Sequence, residues 1–409
     1  MEKEILKFWL MPNSGFETAE IIDTEIKEFT KKNPSVDVQY DIIPWARAWE
    51  RIVEHIKNKS CPDVIQIGNS WSGTLSMFKS FADISKYKKE IVKKNFLFDV
   101  VGSSPLTSND GNNCLPWFAD IRILYYRKDI LEKYHIPTEW LDTWEGIVRV
   151  CEKLKKIDEQ GISPIGVSGQ FEQTLVQDIA CWIWNAGGDF FSRDKGKILI
   201  NQKESINGME FYFDLINNYS SKEALFKNYS YVADNFFLRD KYALYFSSPW
   251  HLVTFLSKNN PHFSKKLHKK IGIALFPKST LQRTTFRGGS DLAIMRSTSM
   301  FKESLELIKF LVSRQSQARY CKNIGMLPSN MKAFESIYIQ NTTQKKILKE
   351  SYKIGRGFPN HLYWGSMEII VARSFSKIMK KIAENRYNHN ILKKEIDYLA
   401  EQMEYVINL

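Results

Sequence analysis

The order of strand-like and helix-like segments in the first 68 residues constrains the fold more than any other feature. Three short apolar runs have strand character: residues 5–11, 36–44 and 63–68. Between them, residues 18–34 and 46–58 place apolar side chains on one helical face. Pro62 and Gly68 bound the third run, as expected for a buried strand. This β-α-β-α-β order predicts an α/β sheet with helices on its faces.

Ligands of open α/β sheets bind beyond the carboxyl ends of the strands. In this chain those positions hold Asn13, Trp45 and the segment "GNSW", which includes Asn69 and Trp71. Two indoles and two amides can pack against an apolar face and hydrogen-bond a polar rim. These four side chains are therefore the first candidates for ligand contacts.

The alternation of strands and helices continues through the rest of the chain. Predicted strands lie in residues 122–131, 163–169, 242–246, 270–277 and 291–295, and predicted helices in residues 143–162, 174–188, 207–218 and 301–323. Thr143 is predicted to cap the first of these helices. No repeat, low-complexity segment or long Gly/Ser linker interrupts the pattern, which favours two joined lobes over independent domains.

The stretch "KYALYFSSPWHL" ends an apolar strand with two serines, a proline and Trp250. An indole held at the mouth of a sheet can stack on the C–H face of a sugar ring, while nearby hydroxyls and amides bind the sugar's polar rim. Other aromatic residues also lie near predicted strand ends or in loops: Trp9, Trp45, Trp71, Trp117, Phe171 and Trp364. Core packing is the alternative role for each of them.

Composition limits the partners that this chain can have. It is 43% hydrophobic and 25% charged, with a formal net charge of +12. No dense Lys/Arg block with interleaved aromatic residues occurs, so the charge is interpreted as a solvated surface rather than a nucleic-acid site. The first residues do not form a signal peptide, so we expect a cytoplasmic protein or a chain from which a leader was removed.

Catalytic and metal-binding motifs are not found in the sequence. There is no Gly-x-Ser-x-Gly, His-Glu-x-x-His or P-loop, and the five cysteines are scattered singly. Asp120, Glu172 and Glu368 could in principle serve a glycosidase, but nothing in the sequence fixes a pair of carboxylates. We therefore predict no enzyme, no catalytic residue, no metal and no cofactor.

Six stretches, in chain order, resemble motifs of the extracellular solute-binding proteins of ABC transporters, in the sugar-binding group similar to maltose-binding protein. They are "KFWLMPNS", "EFTKKNPSVDVQYDIIPW", "SCPDVIQIGNSW", "LYYRKDILEKYHI" with "TWEGIVRVCEKLKK", "YALYFSSPW", and the segment from "RGGSDLAIM" to "GMLPSN". Two positions depart from the pattern: Arg127 stands where the family commonly has Asn, and Ser248 where Gly is common. Alginate-binding relatives have a calcium loop where this chain reads "KIDEQGISP", which has too few carboxylates for calcium.

The resemblance implies a two-lobed periplasmic-binding-protein fold of type II, in which each lobe is a mostly parallel sheet flanked by helices. The ligand cleft would lie between the lobes. The first lobe would comprise residues 1–121 and 279–313, and the second residues 122–278 and 314–409. The chain would cross between the lobes near residues 121–125, 276–281 and 311–315.

Ligand contacts carried over from the resemblance fall on Asn13, Trp45, Asn69, Trp71, Phe171, Trp250 and Trp364. Polar side chains near the predicted cleft strands add Asp120, Arg122, Arg287, Ser290 and Glu368, because sugar hydroxyls need hydrogen-bond partners. A salt bridge or a solvated position is the alternative for either arginine.

The function that the resemblance implies is the substrate-binding component of an ABC importer. It would bind an oligosaccharide, deliver it to the transmembrane permease subunits, and act as an extracytoplasmic monomer, either free in the periplasm or anchored as a lipoprotein. Alternative ligands are an acidic saccharide, which Arg122 and Arg287 would favour, or a non-sugar solute such as a polyamine, a peptide or a metal chelate. A carbohydrate-active enzyme is the alternative from another class.

Overall fold

The computed structural model describes residues 3–13, 18–95, 113–157, 161–192, 196–255, 269–336, 342–358 and 363–408. The strands are β1 Glu4–Leu10, β2 Val36–Ile42, β3 Val64–Gly68, β4 Cys114–Ile121, β5 Ile123–Arg127, β6 Ser163–Gly166, β7 Tyr242–Ser247, β8 Ile271–Ala274, β9 Thr285–Ile294, β10 Leu327–Pro328 and β11 Gly355–Arg356. The predicted strands of the first 68 residues are confirmed.

The helices alternate with these strands. They are α1 Thr18–Lys32, α2 Trp45–Lys57, α3 Ser72–Met77, α4 Ser85–Asn95, α5 Lys128–Lys133, α6 Trp144–Lys155, α7 Gln173–Asn185, α8 Lys203–Tyr219, α9 Tyr229–Phe237, α10 Trp250–Thr254, α11 Phe301–Leu311, α12 Arg314–Ile324, α13 Met331–Glu335, α14 Thr342–Ile354, α15 Trp364–Ala383 and α16 His389–Ile407. Short 3₁₀ helices cover Asn69–Trp71, Thr138–Asp142 and Ala224–Phe226. No helix in these described ranges is long and apolar enough to cross a membrane.

Two sheets organise the molecule. The first has the order β10-β4-β9-β3-β1-β2 with β11 added to β9, and the second has the order β6-β7-β5-β8. The predicted α/β class is confirmed, but the prediction that the sheets are mostly parallel is wrong. β9 runs antiparallel to both β3 and β4, and β5 runs antiparallel to both β7 and β8. The first sheet is mixed because β9 enters it after the chain has returned from the second sheet. The second sheet is mixed because only β6 and β7 pair in parallel.

The chain passes between the two sheets at two places that position the cleft. β4 belongs to the first sheet and β5 to the second, with only Arg122 between them. The chain returns through residues 275–284, between β8 and β9. Each sheet has its own buried core, and the larger of these includes residues of α6, α7, α15 and α16. We call the part built on the first sheet the first lobe and the other part the second lobe.

The predicted single helix over residues 301–323 is instead two helices. α11 ends at Leu311, and Ser313 caps α12 by accepting a hydrogen bond from the Ser316 amide. An extended serine whose hydroxyl satisfies a free N–H group starts a new helix in a new direction. Helical periodicity alone did not reveal this break because both helices bury apolar side chains in the same core.

α12 packs on the first lobe. Its Ser316 and Arg319 both bond the buried carboxylate of Glu25 on α1, and its Tyr320 stacks on Trp117 of β4 at 4.5 Å between ring centroids. The predicted boundaries assigned residues 314–409 to the second lobe. α12 lies within this range, but its contacts are with the first lobe. The lobe boundaries stay a proposal, and these contacts favour a last boundary after α13.

Candidate ligand-binding site

Four buried polar side chains form a network at the carboxyl end of β1 and β3. The Asn13 amide donates to the Tyr320 hydroxyl at 2.8 Å and to Gln66 at 3.2 Å, and Gln66 donates in turn to Ser290 at 2.8 Å. Asn13 and Ser290 were predicted separately, and Gln66 joins them. Gln66 was not among the predicted ligand contacts, although an amide inside the apolar run "VIQIG" indicates a buried polar partner.

Three indoles meet beside this network. Trp71 is buried and lies edge-on to Trp45 at 5.8 Å and to Trp49 at 5.5 Å between ring centroids. Trp45 is half-buried and its indole N–H donates to the Pro12 carbonyl at 2.9 Å. The predicted candidates Trp45 and Trp71 therefore come together. Trp49 joins them because α2 turns this residue toward the same face.

The first two turns of α15, in the second lobe, contact this indole cluster and the residues beside it. The Ser70 hydroxyl donates to Glu368 at 3.1 Å, and the Thr74 hydroxyl accepts from the Gly365 amide at 3.3 Å. Gly365 permits this approach, because a Cβ atom there would lie 2.5 Å from the Trp49 ring. The two lobes thus touch through Ser70, Thr74 and Trp49 on one side and Gly365 and Glu368 on the other.

Glu368 is a buried carboxyl at this contact, with 1% of its surface exposed. Burial raises the pKa of Glu368 to about 7, against a smaller opposing effect of the Ser70 hydroxyl and the Trp71 indole. Its Oε2 accepts from Ser70, while its Oε1 makes no direct hydrogen bond with any described residue. Burial therefore favours the protonated form of this carboxyl much more than water would.

Several buried polar atoms around this contact have no direct hydrogen-bond partner among the described residues. They are Asn69 Nδ2, Trp71 Nε1, Trp364 Nε1 and Glu368 Oε1. The Trp71 indole is close enough to the Glu368 carboxyl to lower its pKa, but its N–H does not reach hydrogen-bond geometry. Buried polar atoms are nearly always paired in native proteins, so unpaired ones indicate a place for water or a ligand. Asn69, Trp71 and Glu368 lie on the two segments that touch across the lobes, and Trp364 lies one turn before Glu368 on α15.

Trp364 can offer a ligand or a water molecule only the N–H edge of its indole ring. The side chain is fully buried, and its ring lies 5.2 Å from Phe190, 5.7 Å from Phe191 and 4.5 Å from Phe358 between centroids. These contacts make the ring part of the second-lobe core. Sequence alone could not separate this packing role from the predicted stacking role.

Asp120 and Arg122 belong to a different network at the crossing between β4 and β5. The Arg122 guanidinium is 1% exposed and donates to Asp120 at 2.7 Å, to Asp178 at 2.6 Å and to Gln177. Ser248 donates to the other oxygen of Asp120. Burial alone would lower the pKa of Arg122, but the carboxylates of Asp120 and Asp178 outweigh it and raise that pKa. Both predicted ligand contacts are thus engaged within the protein.

The remaining predicted residues are dispersed. Arg287 lies over the Tyr352 ring, with 4.9 Å from its guanidinium carbon to the ring centroid, and donates to the Tyr352 carbonyl at 3.1 Å. Phe171 is 51% exposed in the loop before α7. Trp250 is half-buried at the start of α10, with its ring centroid 3.8 Å from that of His251. Within the described part of the chain, no ring contact or hydrogen bond joins these three side chains to the indole cluster.

No group of three or more His, Cys, Asp or Glu side chains within the described ranges could hold a metal ion. Residues 158–160 of the predicted metal-free loop lie outside those ranges. Two α/β lobes, two strand crossings and a contact surface rich in indoles and unpaired polar atoms are the features of a two-lobed binding protein.

Sequence comparison gives the family of this binding protein. Residues 25–347 match the sequence model of the bacterial extracellular solute-binding proteins, so the chain belongs to that family. Its members are the non-enzymatic solute-binding proteins of ABC transporters. The prediction that the protein is not an enzyme is therefore confirmed.

Known proteins of similar sequence or structure agree with this family. The diacetylchitobiose binding protein DasA of Streptomyces coelicolor is 22% identical over 356 residues, covering 81% of this chain and 75% of the relative. An ABC transporter solute-binding protein of Thermotoga lettingae bound with α-D-tagatose superposes with a TM-score of 0.82 at 18% identity, over 99% of this chain and 100% of that one. Maltose-bound MalE3 of T. maritima superposes with a TM-score of 0.80 at 21% identity, over 98% and 99%. At these identities the structural likeness shows the fold.

Proposed function

We propose that this protein is the substrate-binding component of an ABC importer and that it binds a saccharide between its lobes. The observation that carries the proposal is the contact of α15 with the segment Asn69–Trp71, where indoles surround buried polar atoms that lack partners. Indole faces suit the C–H faces of sugar rings, and unpaired donors and acceptors suit sugar hydroxyls. The named ligands of the proteins compared above, diacetylchitobiose, tagatose and maltose, are all sugars.

Asn69, Trp71 and Glu368, with Trp45 at the edge of the cluster, are the residues that we propose for direct contact with the saccharide. Asn13 and Ser290 hold the loop below them through Gln66. Trp364 contributes its N–H, and Phe171 and Trp250 are proposed for the outer units of a longer oligosaccharide. Asp120, Arg122 and Arg287 support the cleft from within the protein.

Membership of this family indicates the partners and the compartment that we expect for this chain. Extracellular solute-binding proteins act outside the cytoplasm and hand their solute to the permease of an ABC transporter. We propose that this chain does so as a monomer, either free in the periplasm or anchored as a lipoprotein. We further propose that the lobes rotate about the crossings at Arg122 and residues 275–284 when solute binds.

A thermal-shift screen tests the ligand class. The full chain is mixed with neutral oligosaccharides such as maltose and diacetylchitobiose, with an acidic oligosaccharide, and with spermidine. We expect a neutral sugar to raise the melting temperature, because a ligand at 100 times its Kd stabilises the folded state by about 2.7 kcal/mol. A shift with spermidine alone would contradict the saccharide proposal, and a shift with the acidic sugar alone would assign the alternative ligand.

A further inference from the structure

Glu368 lies where the two lobes touch, and this position indicates a role in regulating closure. This inference rests on the proposed function. We propose that Glu368 couples closure of the lobes to the uptake of one proton. The closed form holds this carboxyl protonated, and ionisation of the carboxyl favours the open form. The proton comes from solvent and resides on Oε1, the oxygen that Ser70 does not occupy.

The geometry of the contact places the carboxyl where closure must bury it. Glu368 lies on α15 of the second lobe, while Ser70 and Trp71 belong to the first. Only 1% of the Glu368 surface is exposed while the lobes touch. Separation of the lobes would remove the Ser70 hydroxyl and admit water to both oxygens. The charged carboxylate is therefore much better solvated in the open form than in the closed one.

No cation compensates the buried carboxyl among the described residues. The facing segment of the first lobe, residues 69–77, contains no titratable side chain. On α2 the residue that meets α15 is Trp49. On α2, Arg47, Glu50, Glu54 and Lys57 are exposed, Arg51 pairs with Asp41, and His55 pairs with Ser60. On α7, Asp178 pairs with Arg122 and Tyr229. On α8, Lys203 and Glu204 are exposed, and Glu210 and Asp214 pair with His389. On α16, Glu395 pairs with Ser374 and Lys377, Lys393, Lys394, Glu401 and Glu404 are exposed, and Asp397 is a half-buried acid rather than a cation. On α15 itself, Arg373 lies over Phe171.

A buried carboxyl without a counter-ion is stabilised by a proton. The protonated form removes the charge and turns Oε1 into a donor, which can bind a sugar hydroxyl or a water molecule. Burial raises the pKa of Glu368 to about 7 in this contact, whereas a carboxyl in water would have its ordinary pKa of 4.5.

The direction in which pH shifts the equilibrium between the open and closed forms follows from the difference between the pKa values of Glu368 in these two forms. The closed form binds the proton more tightly, so falling pH favours closure from about 7 down to the ordinary pKa near 4.5. Above that range Glu368 is ionised in both forms, and closure carries the full cost of a buried charge. One-proton linkage then predicts that solute binding coupled to closure is about tenfold tighter at pH 6 than at pH 8.

Small-angle scattering of the ligand-free full chain between pH 5.5 and 8.5 tests the coupling without any assumption about the solute. We expect the radius of gyration to fall as the pH is lowered through 7. Glu368→Gln keeps an acceptor for Ser70 but cannot ionise, so this variant should stay compact at every pH. Glu350→Gln, which neutralises an exposed carboxylate, is the matched control and should follow the wild type.

A radius of gyration that does not change with pH in the wild type would overturn the coupling, as would a Glu368→Gln variant that keeps the wild-type response. An infrared spectrum gives a second readout, because a protonated carboxyl absorbs at a frequency separate from carboxylates. The band should appear below pH 7 in the wild type and be weaker in Glu368→Gln. Saccharide binding without pH-dependent closure would refute the coupling alone, and pH-dependent closure without saccharide binding would refute the proposed function alone.

Discussion

Replacement of Arg122 by methionine is expected to lower the free energy of unfolding by about 3–5 kcal/mol, the usual cost of removing one partner from a buried ion network. The side chain is 1% exposed and lies between Asp120 of the first lobe and Asp178 of the second. Methionine fills a similar volume but leaves both carboxylates without their cation. The loss should appear as a lower midpoint and free energy in urea unfolding.

The same variant should show a characteristic pH dependence. Burial already raises the pKa of Asp178 in the wild type, while Arg122 and Tyr229 lower it. Without Arg122 the folded-state pKa rises further above the unfolded value, so the cost is largest at high pH and decreases as the pH falls through the folded pKa. The deficit in unfolding free energy should be smaller at pH 5 than at pH 8.

Arg386→Met is the matched control, because Arg386 is 59% exposed and pairs with Glu384 at the surface. This control should change the unfolding free energy by less than about 0.5 kcal/mol. A deficit for Arg122→Met no larger than that of the control would contradict a structural role for this network. Such a result would return Arg122 to the candidates for direct contact with the ligand.

Trp71→Ala is expected to lower the free energy of unfolding by about 3–5 kcal/mol, as for other large-to-small core changes. Trp71 is 1% exposed and lies between the rings of Trp45 and Trp49. Its loss leaves a cavity at the centre of the indole cluster. The change should also weaken saccharide binding, because α15 rests on this part of the first lobe.

Trp45→Ala separates ligand contact from packing. This indole is half-buried at the edge of the same cluster. We expect it to cost much less stability than Trp71→Ala but to weaken saccharide binding by roughly 2 kcal/mol, as for a truncated hot-spot residue. Calorimetry of both variants with the saccharide found in the screen measures each effect. Equal stability losses and unchanged affinity for Trp45→Ala would contradict its proposed role.

Most strands and helices could be predicted because strand alternation and helical periodicity depend only on residues that are close together in the sequence. Thr143 was predicted as a helix cap, and its hydroxyl accepts from the Gly146 amide at 3.0 Å. The direction of β9 depends on where the chain returns, and the break at Ser313 depends on a single capping hydroxyl. Neither feature changes the apolar periodicity, so neither could be predicted from it.

Only part of the arrangement around the candidate site could be predicted from the sequence, for a similar reason. Strand ends identified Trp45, Asn69 and Trp71, which the structure brings together. The contact of Ser70 with Glu368 joins residues that are 298 positions apart, and no local pattern encodes it. The same holds for Arg122 and Asp178, whose pairing turns a predicted ligand contact into a structural one.

Closure of the lobes on a saccharide is the central claim, and small-angle scattering at pH 8 tests it most directly. At this pH the proposed coupling gives an ionised Glu368, so we expect the ligand-free lobes to favour the open form. Addition of the saccharide that gives the largest thermal shift should reduce the radius of gyration, and the sugar should be recovered unaltered. A scattering profile that stays the same at saturating saccharide would contradict the account.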